Sequence, residues 1–350
     1  MAIRWNNEID EKRIELIKKG YSYKVIAQIL SSEFGVKVTT RAVESRCYST
    51  NTQKRNLKNL NKKAKKNNNL SLMKNKVKLF KDNCYNNQDE FLMTPQKLEE
   101  LNDLYLKLNA IKPKKILSLS DLHSPAIDFA SVEKAILANQ DADICLLNGD
   151  IYDGNSLSSF DKMSEIDIEL EFKQIFDLLD VLTVKYKHVV WVGGNHDFRR
   201  FLTFVMKNFG PGMRKYVEQR LNPMDYIAEH YDNVIIVPHD WIQIGDIIFA
   251  HLSNYSSVDM KTVVNNYDIF NANRNILPNP DFRAIIIGHT HHAGKIVKNG
   301  TLLIEQGCLC HLQDYRFMKP VKNRWQLGYA IAEFDDNLNV DFNKTNVIFL

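Results

Sequence analysis

The chain has 350 residues, 44% hydrophobic and 25% charged, with a formal net charge of +4. It is long enough for two domains, or one large domain with an appendage, and apolar enough to bury a sizeable core. It holds no apolar run of about 18 residues, which excludes an ordinary membrane-spanning helix, and its opening, MAIRWNNEIDEKR, lacks the apolar segment of a signal peptide.

The modest net charge hides an asymmetry. Residues 1–115 carry 25 Lys+Arg against 12 Asp+Glu, a net +13, and residues 116–350 carry 21 against 30, a net −9. A basic front end joined to an acidic body predicts two jobs. The five cysteines, an odd number without a secretory signal, predict a reducing, cytoplasmic setting.

Residues 5–50 read as three short helices. The first spans about 7–19, with Ile9, Ile14 and Ile17 apolar and Gly20 as its stop. Ser22 is placed to cap a second, about 23–34, with Val25, Ile26, Ile29 and Leu30 apolar. Thr39 or Thr40 caps a third, TRAVESRCY, which sets Arg41, Ser45 and Arg46 on a polar face. Helix, short turn, helix and a Thr-capped basic helix is the pattern of a helix-turn-helix module. With Trp5, GYSYKVIAQIL and TTRAVESR, the stretch resembles small Myb-like or resolvase-like DNA-binding modules. A small all-α domain is therefore expected over 1–51, with Arg41, Ser45 and Arg46 as its DNA-contacting candidates.

Residues 52–81 hold eleven Lys/Arg and no Asp/Glu. Such a composition cannot bury a core and reads as a basic flexible linker, taken here as 52–94. It would also gain counterion-release energy on nucleic acid. Residues 95–109 read as an amphipathic helix leading into a body over 95–350.

From residue 115 the texture changes. KILSLS, DICLLN and HVVWVG are short apolar β-rich runs, with helical patterns between them at about 128–139 and 165–186. This alternation predicts a mainly parallel, buried sheet. NVIIVP, DWIQIG, DIIFAHL, AIIIGHTHH, TLLIEQG and YAIAEFD follow at closer spacing, which predicts antiparallel pairing there. The fold class expected is α/β: two packed mixed sheets flanked by helices, in four layers. Residues 198–233 form a helical insertion broken at Gly210-Pro211-Gly212. Cys308 and Cys310 form a CxC pair whose plain reading is structural.

Five segments end a strand with metal-ligating residue types. They are Asp121-Leu-His123, Asp150-Ile-Tyr-Asp153 after Asn148-Gly149, Asn195-His196-Asp197 after Gly193-Gly194, His251, and His289-Thr-His291 after Gly288. Sites in open α/β sheets form at the carboxyl ends of strands. Carboxylates, imidazoles and an amide oxygen together suit borderline-hard divalent cations. Taken singly each segment is an ordinary strand-end turn; together and in this order they carry information.

The order DxH, GDxxD, GNHD, H, GHxH resembles the calcineurin-like metallophosphoesterase superfamily over about 116–310. The resemblance implies two divalent metals, foremost Mn²⁺, with Fe, Zn or Ni as alternatives. It assigns Asp121, His123, Asp150 and His291 to the first metal, and Asp150, Asn195, His251 and His289 to the second. A hydroxide between the metals would attack phosphorus. His196 would protonate or stabilise the leaving oxygen, oriented by Asp153. Gly154 stands where the Ser/Thr phosphatases of the superfamily carry a phosphate-gripping Arg, which weakens a phosphoprotein-phosphatase reading. Arg199 and Arg200 are candidates to replace it, since Arg suits bidentate phosphate contacts. Tyr315, Arg316, Phe317 and Trp325 are candidates to stack on nucleobases.

The layout also resembles phosphoesterases of phage or prophage type. The function expected is a nuclease or DNA-end phosphatase brought to DNA by the front end, with no membrane partner; a homodimer is compatible with the sequence. The alternative is a phosphatase or cyclic-nucleotide phosphodiesterase acting on small phosphoesters.

Overall fold

The computed structural model describes residues 7–18, 23–43, 95–158, 167–311 and 325–350. The chain divides into two compact units, 1–74 and 75–350. Trp5, Ser45, Arg46, the expected linker, and Tyr315, Arg316 and Phe317 lie outside the described residues.

In the first unit α1 (Asn7–Lys18) and α2 (Tyr23–Phe34) pack on one another. Their shared core is Ile9, Leu16, Ile26, Ala27 and Leu30, joined by Val38 and Val43. The buried positions of α1 are Ile9, Arg13 and Leu16, a 0, 4, 7 spacing, and Ile14 is only half-buried. Arg13 can take a core-facing position because its stem is aliphatic and its Nε donates to Asp10 at 2.9 Å. Ser31 Oγ receives the Val38 N–H at 3.0 Å, tying the end of α2 to the extended segment beyond it. Residues 40–43 are helical, and Thr39 Oγ1 accepts the Ala42 N–H at 3.2 Å, as an N-cap does. Arg41 is exposed.

The first described element of the second unit is α3 (Pro95–Asn109), whose Leu98, Leu101 and Leu108 are buried. Strands β1 (Lys115–Leu119), β2 (Ile144–Asn148) and β3 (His188–Val192) are separated by α4 (Phe129–Ala138) and α5 (Ile168–Lys185). They pair in parallel, the pairing that a helical crossover between strands serves. The insertion contains α6 (Arg200–Asn208), α7 (Pro211–Arg220) and α8 (Pro223–Ala228), and β4 (Val234–Val237) then pairs with β3 in parallel. Next come β5 (Trp241–Ile244), β6 (Ile247–Ala250), α9 (Lys261–Ala272), β7 (Ala284–Ile287), β8 (Ala293–Lys298), β9 (Thr301–Gln306), β10 (Gly328–Glu333) and β11 (Asn346–Phe349). They complete a six-stranded sheet ordered β11-β10-β1-β2-β3-β4 and a five-stranded sheet ordered β5-β6-β7-β9-β8.

The later strands are not uniformly antiparallel. β5 and β8 pair antiparallel with β6 and β9, whereas β6, β7 and β9 run parallel. The α9 segment and β8 supply the chain length that parallel returns need.

Strand alternation builds the layers. Ile116, Ile144, Leu146, Val190 and Val192 face the second sheet, in one core with Ile242, Ile244, Phe249 and Ile286. Their neighbours Leu117, Leu119, Cys145, Leu147, Val189 and Trp191 face the other way, against Val132 and Ile136 of α4 and Leu178 and Leu182 of α5. On the second sheet α9 packs on β7 and β9. Sheets with both faces covered must be apolar on both, and β2, β5, β6, β7 and β9 are buried at every position. The chain therefore forms the four-layer α/β sandwich expected, with the carboxyl ends of β1, β2, β3, β6 and β7 supplying the loops described next.

Candidate metal centre

Each strand-end turn is built around groups with no freedom to be elsewhere. Asp121, His123, Asp150, His289 and His291 all have φ between 47° and 79°, the left-handed region that non-glycine residues rarely enter. Such strain persists only where the surroundings over-determine it, and it gathers at functional sites. The hydrogen bonds that hold it are visible. The N–H groups of Asp121 and His123 donate to Gly149 O and Asp150 O at 3.1 and 2.9 Å, locking the first turn to the second. The His289 N–H donates to Asp121 Oδ2 at 2.9 Å, tying in the fifth.

Asp197 is the anchor of the second and third turns. Its buried carboxylate accepts the N–H groups of Asp150 (2.8 Å), Ile151 (3.0 Å), Tyr152 (2.9 Å) and Gly194 (2.8 Å), and the Trp191 indole N–H at 3.3 Å. It braces the turn and does not face the cluster. Glu171 of α5, which the sequence did not single out, holds the loop beyond. Its buried carboxylate accepts Gly154 N–H at 2.8 Å and Ser156 N–H at 3.1 Å.

The side chains converge. His123 Nε2 lies 3.1 Å from His291 Nε2, 3.8 Å from Asp121 Oδ1 and 3.9 Å from Asp150 Oδ2. His291 Nε2 is 3.1 Å from Asp121 Oδ1. On the other side of Asp150, His251 Nε2 lies 3.0 Å from Asp150 Oδ2, and its Nδ1 is fixed by Asn148 O at 2.7 Å. Of the four groups of donor atoms among the described residues, two share Asp150: Asp121-His123-Asp150 and Asp150-His251-His289. They are candidate metal sites. His292 turns away, its Nδ1 3.4 Å from Asp259 and 3.9 Å from Glu305.

Three glycines make the convergence sterically feasible. A Cβ at Gly149 (φ +82°) would stand 2.3 Å from the His251 ring, one at Gly288 2.0 Å from Ser120 Oγ, and one at Gly194 2.2 Å from Asp150 Oδ1. Gly194 has φ −101° and ψ 178°, so it is required for room and not for an unusual turn.

The electrostatics follow from buried carboxylates and imidazoles packed together. Burial disfavours charge on His123, but the adjoining Asp121 and Asp153 outweigh it and push the imidazole up to about 10. His251 and His291 rise to about 9 against the same burial, through Asp150 and Asp121. Burial would also raise Asp121 and Asp150; the surrounding imidazoles hold both well below the usual carboxylate range. His289 is pushed down to about 3 by burial and by His251. Imidazole nitrogens facing one another beside two carboxylates are a poor hydrogen-bond arrangement and a suitable donor set for divalent cations. Asn195 Oδ1 supports the fit: it is buried without a hydrogen-bond partner, a costly state for an amide oxygen unless something else satisfies it.

His196 sits beside this cluster. Its ring lies 4.6 Å from that of His123, edge to face. Asp153 Oδ1 lies 3.0 Å from His196 Nδ1 and 3.1 Å from His123 Nδ1, so one oxygen orients both. Burial pulls the His196 pKa below its ordinary value; Asp150 opposes this and Arg200 reinforces it. The hydrogen bond to Asp153 also acts upward, but burial leaves His196 lowered overall. Arg200 Nη2 lies 3.1 Å from His196 Nε2. A guanidinium only donates, so Nε2 accepts and the proton is on Nδ1.

The two arginines separate. Arg200 reaches the site, its Nη1 donating to Asp153 O at 2.8 Å and lying 3.3 Å from Oδ2. Arg199 is engaged by Ser253 Oγ at 2.8 Å and Asp240 at 3.1 Å. Trp325 lies against His291, ring centroids 4.0 Å apart. The insertion meets the site through Arg200, the first residue of α6, and through α8, which packs on the Asn195–Arg199 turn. Beyond that, Phe201, Val205 and Val217 pack α6 on α7, and α8 packs on β4.

The family model for calcineurin-like phosphoesterases matches residues 114–293. No curated protein matches the chain. Among solved structures, an archaeal phosphodiesterase is 17% identical, over 67% of this chain and 99% of its own, with a TM-score of 0.35. A predicted phosphoesterase from Streptococcus pneumoniae is 14% identical over 68% and 98%, with a TM-score of 0.29. Vacuolar protein sorting 29 from Cryptosporidium parvum is 16% identical over 68% and 97%, with a TM-score of 0.34.

Proposed function

The chain belongs to the calcineurin-like phosphoesterase family and is a metal-dependent phosphoesterase, and from that premise we propose that its substrate is nucleic acid, cut as a nuclease or trimmed as a DNA-end phosphatase. The observation carrying this reading is the +13 front end, with its capped helix and exposed Arg41, on a −9 body. An acidic body gains little from a polyanion by itself, whereas a basic module gains affinity by counterion release. Joining the two raises the local concentration of substrate at the site without a new contact there. A helix-turn-helix module over 1–51 serves this purpose, and DNA is the partner.

In this reading Asp121, His123, Asp150 and His291 hold one divalent cation, and Asp150, Asn195, His251 and His289 the other, with Mn²⁺ the foremost candidate. When bound, such a pair neutralises phosphate charge and acidifies water. The protein's own groups do the rest. Asp150 is central to both donor groups, so its charge is shared. Arg200 is within reach of a phosphate that enters beside His196, and its fork suits the anionic oxygens. When Arg200 turns to the phosphate it releases His196 Nε2. A nearby anion then favours the protonated imidazole: Nε2 takes up a proton from solvent while Asp153 holds Nδ1–H. His196 can hand its Nε2 proton to the departing oxygen.

The test compares the full chain with residues 82–350 on labelled DNA and on bis-p-nitrophenyl phosphate, with Mn²⁺ at moderate salt. Truncation is expected to remove most DNA cleavage and leave diester turnover intact. DNA left untouched by the full chain, with small-ester turnover indifferent to truncation, would replace this reading with a small-molecule phosphatase.

A further inference from the structure

Cys308 and Cys310 are both buried free thiols. Residues two apart in extended chain share a face, and here that face is the one toward the metal centre. Cys310 Sγ, a His123 nitrogen and a His291 nitrogen all lie within 4.8 Å of one another, a third group of donors on the first metal's side of the cluster. Cys145 is the contrast: equally buried, but among Leu117, Leu147 and Trp191 in the outer core.

The thiol is held there by backbone. Leu309 N–H donates to Asp121 O at 3.2 Å, Asp128 N–H to Leu309 O at 2.9 Å, and His311 N–H to Ala126 O at 2.8 Å. Cys310 itself pairs with Ile127 in an antiparallel bridge. The segment is thus stitched to the loop that carries Asp121 and His123, which keeps the Cys310 backbone beside them. A buried thiol serving packing alone has no need to share a pocket with two imidazoles.

We infer that Cys310 is a thiolate ligand of the cation held by His123 and His291, giving the first metal position a soft donor that the second lacks. The inference rests on the two-metal reading above. As the sulfur–metal bond forms, the thiol proton leaves to solvent. A sulfur ligand favours Zn, Fe or Co over Mg at that position, so the two positions should differ in their preferred ion.

The test is zinc K-edge absorption spectroscopy on the full chain, reduced and loaded to two zinc ions. One sulfur for every two zinc ions is expected, at a zinc–sulfur distance of about 2.3 Å. Cys310→Ser should lose the sulfur signal and Cys308→Ser should keep it. Cys310→Asp, which restores a charged donor, should retain two zinc ions without sulfur. If the serine variant fails to fold, Cys310→Asp decides the matter, since sulfur surviving in it would place the ligand at another cysteine. Two zinc ions with only nitrogen and oxygen neighbours, or sulfur surviving in Cys310→Ser, would overturn the thiolate and leave the metal centre standing. No zinc uptake at all would overturn both.

Discussion

At the scale of single residues, the site is a set of side chains whose ordinary options have been removed. His196 is the clearest case. Its Nδ1 faces Asp153 at 3.0 Å and its Nε2 accepts from Arg200, so at rest it holds a proton on the wrong nitrogen for donation. The role given to it predicts a loss that depends on the leaving group. His196→Gln should lower turnover of alkyl phosphodiesters or DNA by roughly 10²–10⁴-fold. It should cost far less with p-nitrophenyl esters, whose leaving group needs no proton. Steady-state rates on the two substrate types check this; equal losses on both would assign His196 to binding. That the residues of the centre would converge was legible because strand-end turns rarely collect such donor types by chance. Their backbone strain was not legible, because φ depends on hydrogen bonds between turns distant in sequence. The two adjacent arginines were equivalent in sequence and distinct in space, since successive residues of a helical turn point about 100° apart, Arg200 to Asp153 and Arg199 to Asp240.

At the scale of elements, the architecture was legible where a segment is buried on both faces. Strands β1, β2 and β3 read as apolar runs, and the helices between them fall within a few residues of the periods that predict them. The strands that sequence missed, β8 and β11, are the outer strands of their sheets. The half-exposed β8 is AGKIVK and carries no continuous apolar run, whereas β11, NVIF, carries only a short one. Asp197 shows how elements are joined at the site. It gathers N–H groups from the β2 and β3 turns and the indole of Trp191 within β3. Removing it leaves several buried donors without an acceptor, each costing about 1–3 kcal/mol. Asp197→Ala should therefore lose roughly 3 kcal/mol or more of stability. Urea unfolding of the metal-free protein measures it, and a change below about 1 kcal/mol would show that water replaces the carboxylate.

At the scale of the whole molecule, charge links folding to metal. In the metal-free protein His123, His251 and His291 have pKa values raised to about 10, 9 and 9, above the ordinary histidine value of 6.5. Between those limits the folded chain binds more protons than the unfolded one, so these groups stabilise it fully below about pH 6.5 and progressively less toward pH 9–10. The melting temperature of chelated protein should fall as pH rises from 7 to 10. Metal competes with the same protons, so metal affinity should rise over that range, and saturating Mn²⁺ should flatten the melting profile. A metal-free profile that rises with pH would mean the imidazoles are neutral in the fold. The charge division of the chain was legible from counting alone, whereas the arrangement of two sheets around one shared carboxylate was not, because β2 and β6 meet only through packing of the sheets.

The most direct measurement is calorimetric titration of metal-free chain with Mn²⁺, run beside bis-p-nitrophenyl phosphate turnover, for the wild type and Asp150→Asn. Two Mn²⁺ per chain in the wild type are expected, with turnover that follows their binding, and loss of both tight uptake and turnover in Asp150→Asn. Turnover that survives chelation, or an Asp150→Asn chain that binds two ions and works as well as the wild type, would contradict the assignment of Asp150 as the carboxylate common to both metals.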